Sequence, residues 1–179
     1  MPRQPDHPSS TPPHELDDLD LRILGTLQVD SSLTNQALAA KVHASPPTCH
    51  RRVRQLREAG YILREVAILD PGKFAAGLTA IVEVMLDVQT AEAFDDFEQQ
   101  IVQEPAVQQC YRSSPGPDFI LIIQLADMPA YHAFARQVFT AKKNVRNVRT
   151  FFSTYRSKFE TRLPLPTRAK SATGGASTT

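Results

Sequence analysis

Residues 45–62 read SPPTCHRRVRQLREAGYI, and this stretch decides the fold of the first half of the chain. Ser45 is a residue type that caps helices, and Pro46 occupies the first helical position, where a missing N–H costs nothing. Gly60 is a strong signal for the C-terminus of a helix. The stretch therefore predicts a helix that begins at Ser45 and stops at Gly60.

Two further helices are predicted before this one. In residues 16–30, LDDLDLRILGTLQVD, apolar residues recur at helical spacing behind several aspartates, which predicts a helix over about 17–29. Residues 34–42, TNQALAAKV, predict a second helix with Thr34 as its N-cap. Because only residues 43–45 join it to the next helix, the pattern is that of a helix-turn-helix. The stretch that follows, YILREVAIL at 61–69, alternates enough to predict a strand or wing.

The helix that begins at Ser45 has two unlike faces when its residues are placed at 100° intervals. Cys49, Val53 and Leu56 fall on one side, which is the predicted core face. The opposite side carries arginine, hydroxyl and amide groups, which are the groups that read base edges and hold phosphates in the major groove of DNA. Arg52 falls on the flank between the two faces. The outward residues are Pro47, Thr48, Arg51, Arg54 and Gln55.

The charge pattern supports a nucleic-acid partner, although the whole chain has a net charge of only +1. Residues 34–64 hold six Lys/Arg against one Glu, a net +5. Residues 71–141 hold three Lys/Arg against nine Asp/Glu, a net charge of −6. Residues 142–179 hold nine Lys/Arg against one Glu, a net charge of +8. The small overall charge is therefore a cancellation between blocks, and the basic helical block is a local electrostatic footprint. A solvated face with chance clustering is the alternative interpretation.

The second half of the chain predicts a βαββαβ arrangement, the ferredoxin-like α+β fold. Asp70-Pro71-Gly72 is the predicted hinge between the halves. The predicted elements are strands at 79–88, 107–113 and 119–126, helices at 91–103 and 128–140, and one or two strands within 145–160. The predicted domain organisation is a disordered arm at 1–14, a DNA-binding domain with wing and linker at 15–70, an effector-binding and oligomerisation domain at 71–163, and a disordered tail at 164–179.

Composition and cysteine usage exclude several classes of protein. The chain is 41% hydrophobic and 22% charged, which is ordinary for a globular protein and excludes a disordered or collagen-like chain. Cys49 and Cys110 lie 61 positions apart, which suits a reducing cytosol and gives no metal-ligand spacing. The side chains of Cys49 and His50 leave a helix in directions about 100° apart, so the pair is poorly placed for proton transfer. We expect a cytoplasmic protein with no membrane segment, metal, cofactor or enzymatic activity.

The turn at residues 113–118, SSPGPD, is a second candidate site. Asp118 can meet the ammonium group of a small zwitterion, while backbone N–H groups near Gly116 meet its carboxylate. The alternative is an ordinary hairpin turn, because Gly, Pro, Asp and Ser are the residues that turns use.

Together these motifs resemble the Lrp/AsnC family of regulators, also called feast/famine proteins. The most specific matches are the pattern S-P-x-T-C-x-x-R-V-R-x-L from Ser45, the G-Y-I that follows it, and G-x-D-F from Gly116. The resemblance covers about 15–163 and implies a transcription regulator with an N-terminal winged helix-turn-helix and a C-terminal RAM or ACT-like domain. It implies a homodimer that assembles to a tetramer or octamer, binds a roughly palindromic operator in double-stranded DNA, and binds an amino acid or related metabolite between subunits.

The resemblance also places individual residues in these roles. Departures from the family pattern are His43, where a glycine is common, the prolines Pro115 and Pro117 in the effector loop, and Lys143-Asn144 in place of Pro-Gly. Combining helical position with the resemblance, the predicted DNA-binding residues are Ser45, Pro47, Thr48, His50, Arg51, Arg52, Arg54 and Gln55. The predicted effector-binding residues are Ser114, Gly116, Asp118 and Thr150.

Two other functions fit the same architecture. Some proteins that look like this family are tetrapyrrole-processing enzymes, such as sirohaem decarboxylase subunits, and these would not need an arginine-bearing recognition face. A stand-alone amino-acid-binding protein would not need the three N-terminal helices. The arginine-rich face and the three helices favour the regulator over both.

Overall fold

The computed structural model describes residues 15–74, 77–140 and 144–166. These residues divide into two compact units, one formed by 15–67 with 159–166 and the other by 68–158. The predicted disordered arm at 1–14, most of the predicted tail, and Lys143 lie outside the described residues. None of the described helices is long and apolar enough to cross a membrane.

The first unit contains the three predicted helices, α1 (Asp18–Leu27), α2 (Asn35–Lys41) and α3 (Pro46–Glu58). Each helix begins at a residue whose side chain accepts a hydrogen bond from its first turn, which satisfies an N–H that the helix itself cannot pair. Asp17 accepts from the Asp20 N–H at 2.9 Å, Thr34 from the Ala37 N–H at 3.2 Å, and Ser45 from the Thr48 N–H at 3.4 Å. The predicted caps Thr34 and Ser45 are thus confirmed.

A small apolar core holds the three helices together. Its members come from all three helices and from the turn after α2, and every one is almost wholly buried: Ile23, Leu38, Ala39, Val42, Cys49 and Leu56. The tight turn between α2 and α3 passes through His43, whose φ of 55° lies in the left-handed region. Histidine tolerates this conformation better than most residues, so the turn forms where the family often has glycine.

The strand predicted at 61–69 is not formed. Residues 62–70, all of which the structure describes, follow Gly60 as an irregular segment. A strand needs a neighbour to pair its backbone groups, and no other described strand lies beside this segment. Leu63, Val66 and Leu69 are therefore left exposed.

The second unit is a four-stranded antiparallel sheet with the order β2-β3-β1-β4 and two helices. Its elements follow the predicted βαββαβ sequence: β1 (Leu78–Leu86), α4 (Ala91–Ile101), β2 (Val107–Arg112), β3 (Phe119–Leu125), α5 (Met128–Ala135) and β4 (Val145–Phe152). The helix predicted over 128–140 changes to a π-helical turn, Arg136–Thr140, after α5. The strand predicted within 145–160 ends at Phe152.

One face of the sheet forms the core of the second unit with the helices. Alternate residues of β1 and β3 are buried on this face because side chains of a strand point to opposite sides in turn. Phe119 is fully buried, and its ring centroid lies 4.7 Å from that of Phe97 and 5.7 Å from that of Phe94, both on α4. These aromatic contacts fasten α4 to the sheet.

The chain after β4 returns to the first unit. Residues 159–166 cluster with residues 15–67, and the Gln28 side chain makes two hydrogen bonds with the backbone of Leu163. The predicted domain bounds at 163 and 164 stay predictions. The boundary between the units falls after Ala67, three residues before the predicted end of the first domain.

Phe119→Ala should lower the free energy of unfolding by about 3–5 kcal/mol, because it removes a buried ring and leaves a cavity against α4. Urea denaturation followed by circular dichroism measures this loss. Phe74→Ala is the matched control, since Phe74 lies in the same unit but is 58% exposed. An equal loss in both variants would contradict the packing described for α4.

Candidate nucleic-acid interface

The outward face of α3 presents the basic groups that the sequence predicts. Arg51 and Arg54 are exposed, on the side opposite the buried Cys49 and Leu56. Among the other predicted DNA-binding residues, Ser45, Pro47 and His50 are exposed, and Thr48 and Gln55 are half-buried. The face therefore offers two guanidinium groups, an imidazole and small polar groups to a ligand.

The exposed arginines are held only by weak contacts within the helix. The Arg51 Nη1 donates to Gln55 Oε1 at 3.2 Å, and the Arg54 Nε lies 3.1 Å from Glu58 Oε1. Solvent-exposed pairs four residues apart stabilise a helix by only about 0.3–0.5 kcal/mol, so both guanidinium groups can exchange these partners for phosphate or base edges.

Ser45 already uses its hydroxyl group inside the protein. Its Oγ accepts from the Thr48 N–H at 3.4 Å and lies 2.8 Å from the Thr48 Oγ1. The side chain caps α3, so its first role is to fix the start of the helix.

Two residues that the sequence did not single out fix the position of α3 and α2. The Asn35 Nδ2 donates to the Pro46 carbonyl at 2.9 Å, which ties the start of α2 to the start of α3. The Arg22 Nε donates to the Val42 carbonyl at 3.2 Å, which ties α1 to the end of α2. Side-chain bonds to backbone carbonyls leave no pattern in the sequence, because any residue supplies the acceptor.

Arg52 lies on the flank of α3, as the sequence predicts, and its guanidinium group pairs with carboxylates of the first unit. Its predicted DNA contact stays a prediction. Its Nη2 lies 2.7 Å from Asp17 Oδ2, and its Nη1 lies 3.1 Å from Asp20 Oδ2. The Asp20 side chain has no exposed surface, whereas that of Arg52 is 21% exposed. From its position on the flank of α3, the long side chain of Arg52 turns toward α1 and joins the two helices.

The carboxylates that receive Arg52 also cap α1. Asp17 and Asp20 form a reciprocal capping box, in which the Asp17 N–H donates to Asp20 Oδ2 at 3.1 Å. Desolvation raises the pKa of Asp17, but the hydrogen bond from the Asp20 N–H and the charge of Arg52 lower it by a larger amount in total. The pKa of Asp17 therefore lies below its ordinary value. Asp17 thus adds stability above its unfolded pKa, and this contribution is lost as the pH falls through the lower folded pKa.

The second predicted site, on the turn after β2, has its carboxylate engaged inside the protein. Asp118 Oδ2 accepts from the buried Leu86 N–H at 2.7 Å, and the Gln89 Nε2 donates to Asp118 Oδ1 at 3.0 Å. These hydrogen bonds fix the end of β1 and the loop before α4. The predicted contact between Asp118 and an effector ammonium group stays a prediction.

The remaining predicted effector residues lie in two places, Ser114 and Gly116 on the turn with Asp118, and Thr150 on β4. Ser114 and Gly116 are exposed on the turn. The Thr150 Oγ1 lies 2.5 Å from the Tyr131 hydroxyl on α5, and Thr150 pairs with Val82 in the middle of the sheet. Phe119, which directly follows the turn, pairs with Val84, whereas Thr150 pairs with Val82. Thr150 therefore lies two strand positions, roughly 7 Å, further from the turn than Phe119 does.

A cavity of about 520 Å³ lies at the same end of the sheet. Its lining includes the apolar residues Val88, Phe97 and Val145, and the exposed Asp87 and Asp96 lie on its rim. The neighbouring α4 carboxylates, Asp95 and Glu98, pair with Arg112 instead. The sequence did not indicate this cavity, because its lining comes from three separated segments.

The cysteines have the environment of packing residues. Burial raises the pKa of the Cys49 thiol, and burial together with the Glu98 charge raises that of Cys110 to about 11. A thiol with a raised pKa is a poor nucleophile at neutral pH. In the described parts of the chain, no three His, Cys, Asp or Glu side chains are grouped to bind a metal ion.

Arg52→Ala should lower the free energy of unfolding by about 3 kcal/mol, because it leaves the Asp20 carboxylate buried without its cation. Chemical denaturation followed by circular dichroism measures the loss. Arg54→Ala on the same helix removes only an exposed pair and should cost less than about 0.5 kcal/mol. Equal effects of the two substitutions would show that the Arg52 ion pair does not support the fold.

Comparison with known proteins assigns both units. Residues 16–62 match the family described as winged helix-turn-helix DNA-binding, and residues 79–163 match the Lrp/AsnC ligand binding domain. An uncharacterised HTH-type transcriptional regulator of Haemophilus influenzae is 37% identical over 137 residues, which cover 76% of this chain and 82% of that protein. The DNA-binding transcriptional activator DecR of Escherichia coli is 31% identical over 150 residues, 84% of this chain and 99% of that protein.

Solved structures agree with this assignment. An AsnC family regulator from Agrobacterium tumefaciens superposes with a TM-score of 0.78 at 36% identity, covering 83% of this chain and 97% of that one. A transcriptional regulator from Neisseria meningitidis, solved as its L-Met complex, also superposes with a TM-score of 0.78. It is 31% identical, and the match covers 83% of this chain and 96% of that chain. The chain belongs to the Lrp/AsnC family of transcriptional regulators.

Proposed function

We propose that this regulator reads DNA with the outward face of α3, with Arg51 and Arg54 as the principal contacts. The observation that carries the proposal is that the arginines of α3 have different partners and different exposure. Arg52 faces inward and anchors the helix to α1, whereas Arg51 and Arg54 are exposed and held only by weak pairs. A basic, exposed helix face on a rigid support is what major-groove recognition requires.

We also propose that two copies of the chain pair through the open face of the sheet. Ile81 is 37% exposed there and pairs with Ile122 on one side and Phe151 on the other. Arg149 lies in the same patch, with its Nε 2.8 Å from Glu83 Oε2 and its guanidinium carbon 4.9 Å from the Phe151 ring centroid. An apolar patch with one internal ion pair beside it is suited to face-to-face packing against a second sheet.

A symmetric dimer fixes the form of the DNA site. Two α3 helices related by a twofold axis require half-sites that are roughly palindromic and about one helical turn, or a multiple of it, apart. Association of dimers into a tetramer or octamer would bring further half-sites under control. Such a protein acts where the chromosome is, so we place it in the cytoplasm.

The effector, in this proposal, is an amino acid or a related metabolite that binds between subunits at the Asp118 end of the sheet. The L-Met complex of the Neisseria relative supports this class of ligand. The cavity beside α4 is lined by two acidic residues and by apolar side chains, which suit an ammonium group and an apolar side chain of the effector. No cationic side chain lines the cavity among the described residues, so groups from a second copy would hold the effector carboxylate.

Arg51→Ala should weaken binding to a selected operator by about 1–3 kcal/mol, because it removes a base or phosphate contact from the centre of the outward face. Fluorescence anisotropy with an operator selected from random DNA measures the change. Arg57→Ala removes the same charge from the end of α3, where Arg57 pairs with Glu65, and should cost much less. Unchanged affinity for the Arg51 variant would exclude this residue from recognition.

Asp96→Asn should weaken effector binding about tenfold, because it removes one of the two carboxylates on the rim of the cavity. A thermal-shift screen of the twenty amino acids identifies the effector, and calorimetry then gives its affinity for both chains. Glu92→Gln, which changes an exposed charge on the same helix outside the cavity, is the control. Normal binding by the Asp96 variant would place the effector elsewhere.

The chain works, in our proposal, without catalysis and without a cofactor. A tetrapyrrole-processing role is the rival on this architecture, and an absorbance titration with a tetrapyrrole distinguishes the two. A saturable spectral change would favour the enzyme over the regulator.

A further inference from the structure

The chain returns to the DNA-binding unit after the last strand of the sheet. Residues 159–166, which we call the strap, cluster with residues 15–67 and not with the sheet. The chain thus passes between the two units twice, at 67–68 and at 158–159. A single linker would suffice to connect two domains, so the second passage needs a physical explanation.

The strap is held by the end of α1 through a specific pair of hydrogen bonds. The Gln28 Nε2 donates to the Leu163 carbonyl at 3.1 Å, and the Leu163 N–H donates to Gln28 Oε1 at 3.0 Å. The Gln28 amide thus bonds both the C=O and the N–H group of Leu163. In an antiparallel sheet, the opposite residue of a hydrogen-bonded pair makes the same two bonds with its backbone. This recognition depends on the backbone of the strap and on an amide of the length of glutamine.

An apolar contact lies one turn earlier on the same face of α1. The Leu165 Cδ1 is 3.6 Å from the position that a Cβ atom on Gly25 would occupy, and Leu165 is half-buried. Residues three apart are neighbours on a helix surface, so Gly25 and Gln28 form one small docking face. Neither residue belongs to the apolar core of the three helices or to the outward face of α3.

We propose that the strap is a reversible second tether, docked in the same chain on Gly25 and Gln28, that sets the DNA affinity of the helix-turn-helix. The docking claim stands on the contacts above, and its effect on DNA rests on the proposed function. One amide pair and one leucine form a weak contact, which persists because the strap is part of the same chain, at an effective concentration of about millimolar. A contact of this strength can be released when the rest of the chain rearranges.

The docking can influence recognition because α1 and α3 move together. Arg52 on α3 is bonded to Asp17 and Asp20 at the start of α1, so a restraint on α1 also restrains the recognition helix. A helix-turn-helix held by two tethers has less freedom to lose when a dimer engages two half-sites of fixed spacing. A docked strap therefore favours tight binding and a sharp preference for half-site spacing.

The test compares the full-length wild type with Gln28→Ala, which leaves every charge in place. Amide hydrogen exchange of Leu163 reports docking, and anisotropy with selected operators of several half-site spacings reports recognition. Release of the strap should accelerate Leu163 exchange about tenfold or more. It should also weaken binding at the best spacing about three- to tenfold and flatten the spacing preference.

Two controls separate the strap from general effects. Thr26→Ala changes a half-buried neighbour whose Oγ1 donates within α1, to the Arg22 carbonyl at 2.8 Å. A chain that ends at Pro166 removes the basic residues beyond the strap. Both controls should keep wild-type Leu163 exchange and wild-type spacing preference.

Each outcome decides one part of the proposal. Unchanged Leu163 exchange in Gln28→Ala would overturn the docking. Faster exchange with wild-type affinity and spacing preference would overturn the tether's effect on DNA. A wild-type chain that selects no DNA at all would overturn the proposed function and that effect together, while the exchange data would still decide the docking.

Discussion

The ion pair between Arg52 and the capping carboxylates of α1 is the interaction on which the DNA-binding unit depends. It joins the recognition helix to the helix that begins the unit, and it places a cation against Asp20, a carboxylate with no exposed surface. The apolar core buries Cys49 and Leu56 of α3, and the ion pair adds a second attachment between α3 and α1. A rotation of α3 that changed the outward direction of Arg51 and Arg54 would break both.

The sequence predicted local structure well because its signals act over a few residues. The caps Thr34 and Ser45, the stop at Gly60 and the apolar spacing of the three helices all lie within one or two turns of what they determine. The ion pair of Arg52 was not predicted, for the opposite reason. A helical projection gives the angle at which a side chain leaves the helix, but the partner of Arg52 lies 32 residues away.

In the second unit, too, the sequence predicted local structure but not the contacts between distant residues. The order of strands and helices was predicted from periodicity, and the sheet forms with that order. Asp118 stands out in the sequence as a carboxylate in a small-residue turn, yet its partner is the Leu86 N–H across the sheet end. The cavity edged by Asp87 and Asp96 and the return of residues 159–166 to α1 both arise from tertiary contacts that leave no periodic trace.

We propose that adjacent arginines on α3 have different tasks: Arg52 supports the helix and Arg51 reads DNA. The most direct measurement is the base preference of the Arg51→Lys and Arg52→Lys variants on a randomised operator library, at a temperature where both are folded. We expect Arg52→Lys to keep the wild-type base preferences at reduced stability, and Arg51→Lys to change them at discrete positions. A change of base preference in the Arg52 variant, with none in the Arg51 variant, would contradict this assignment.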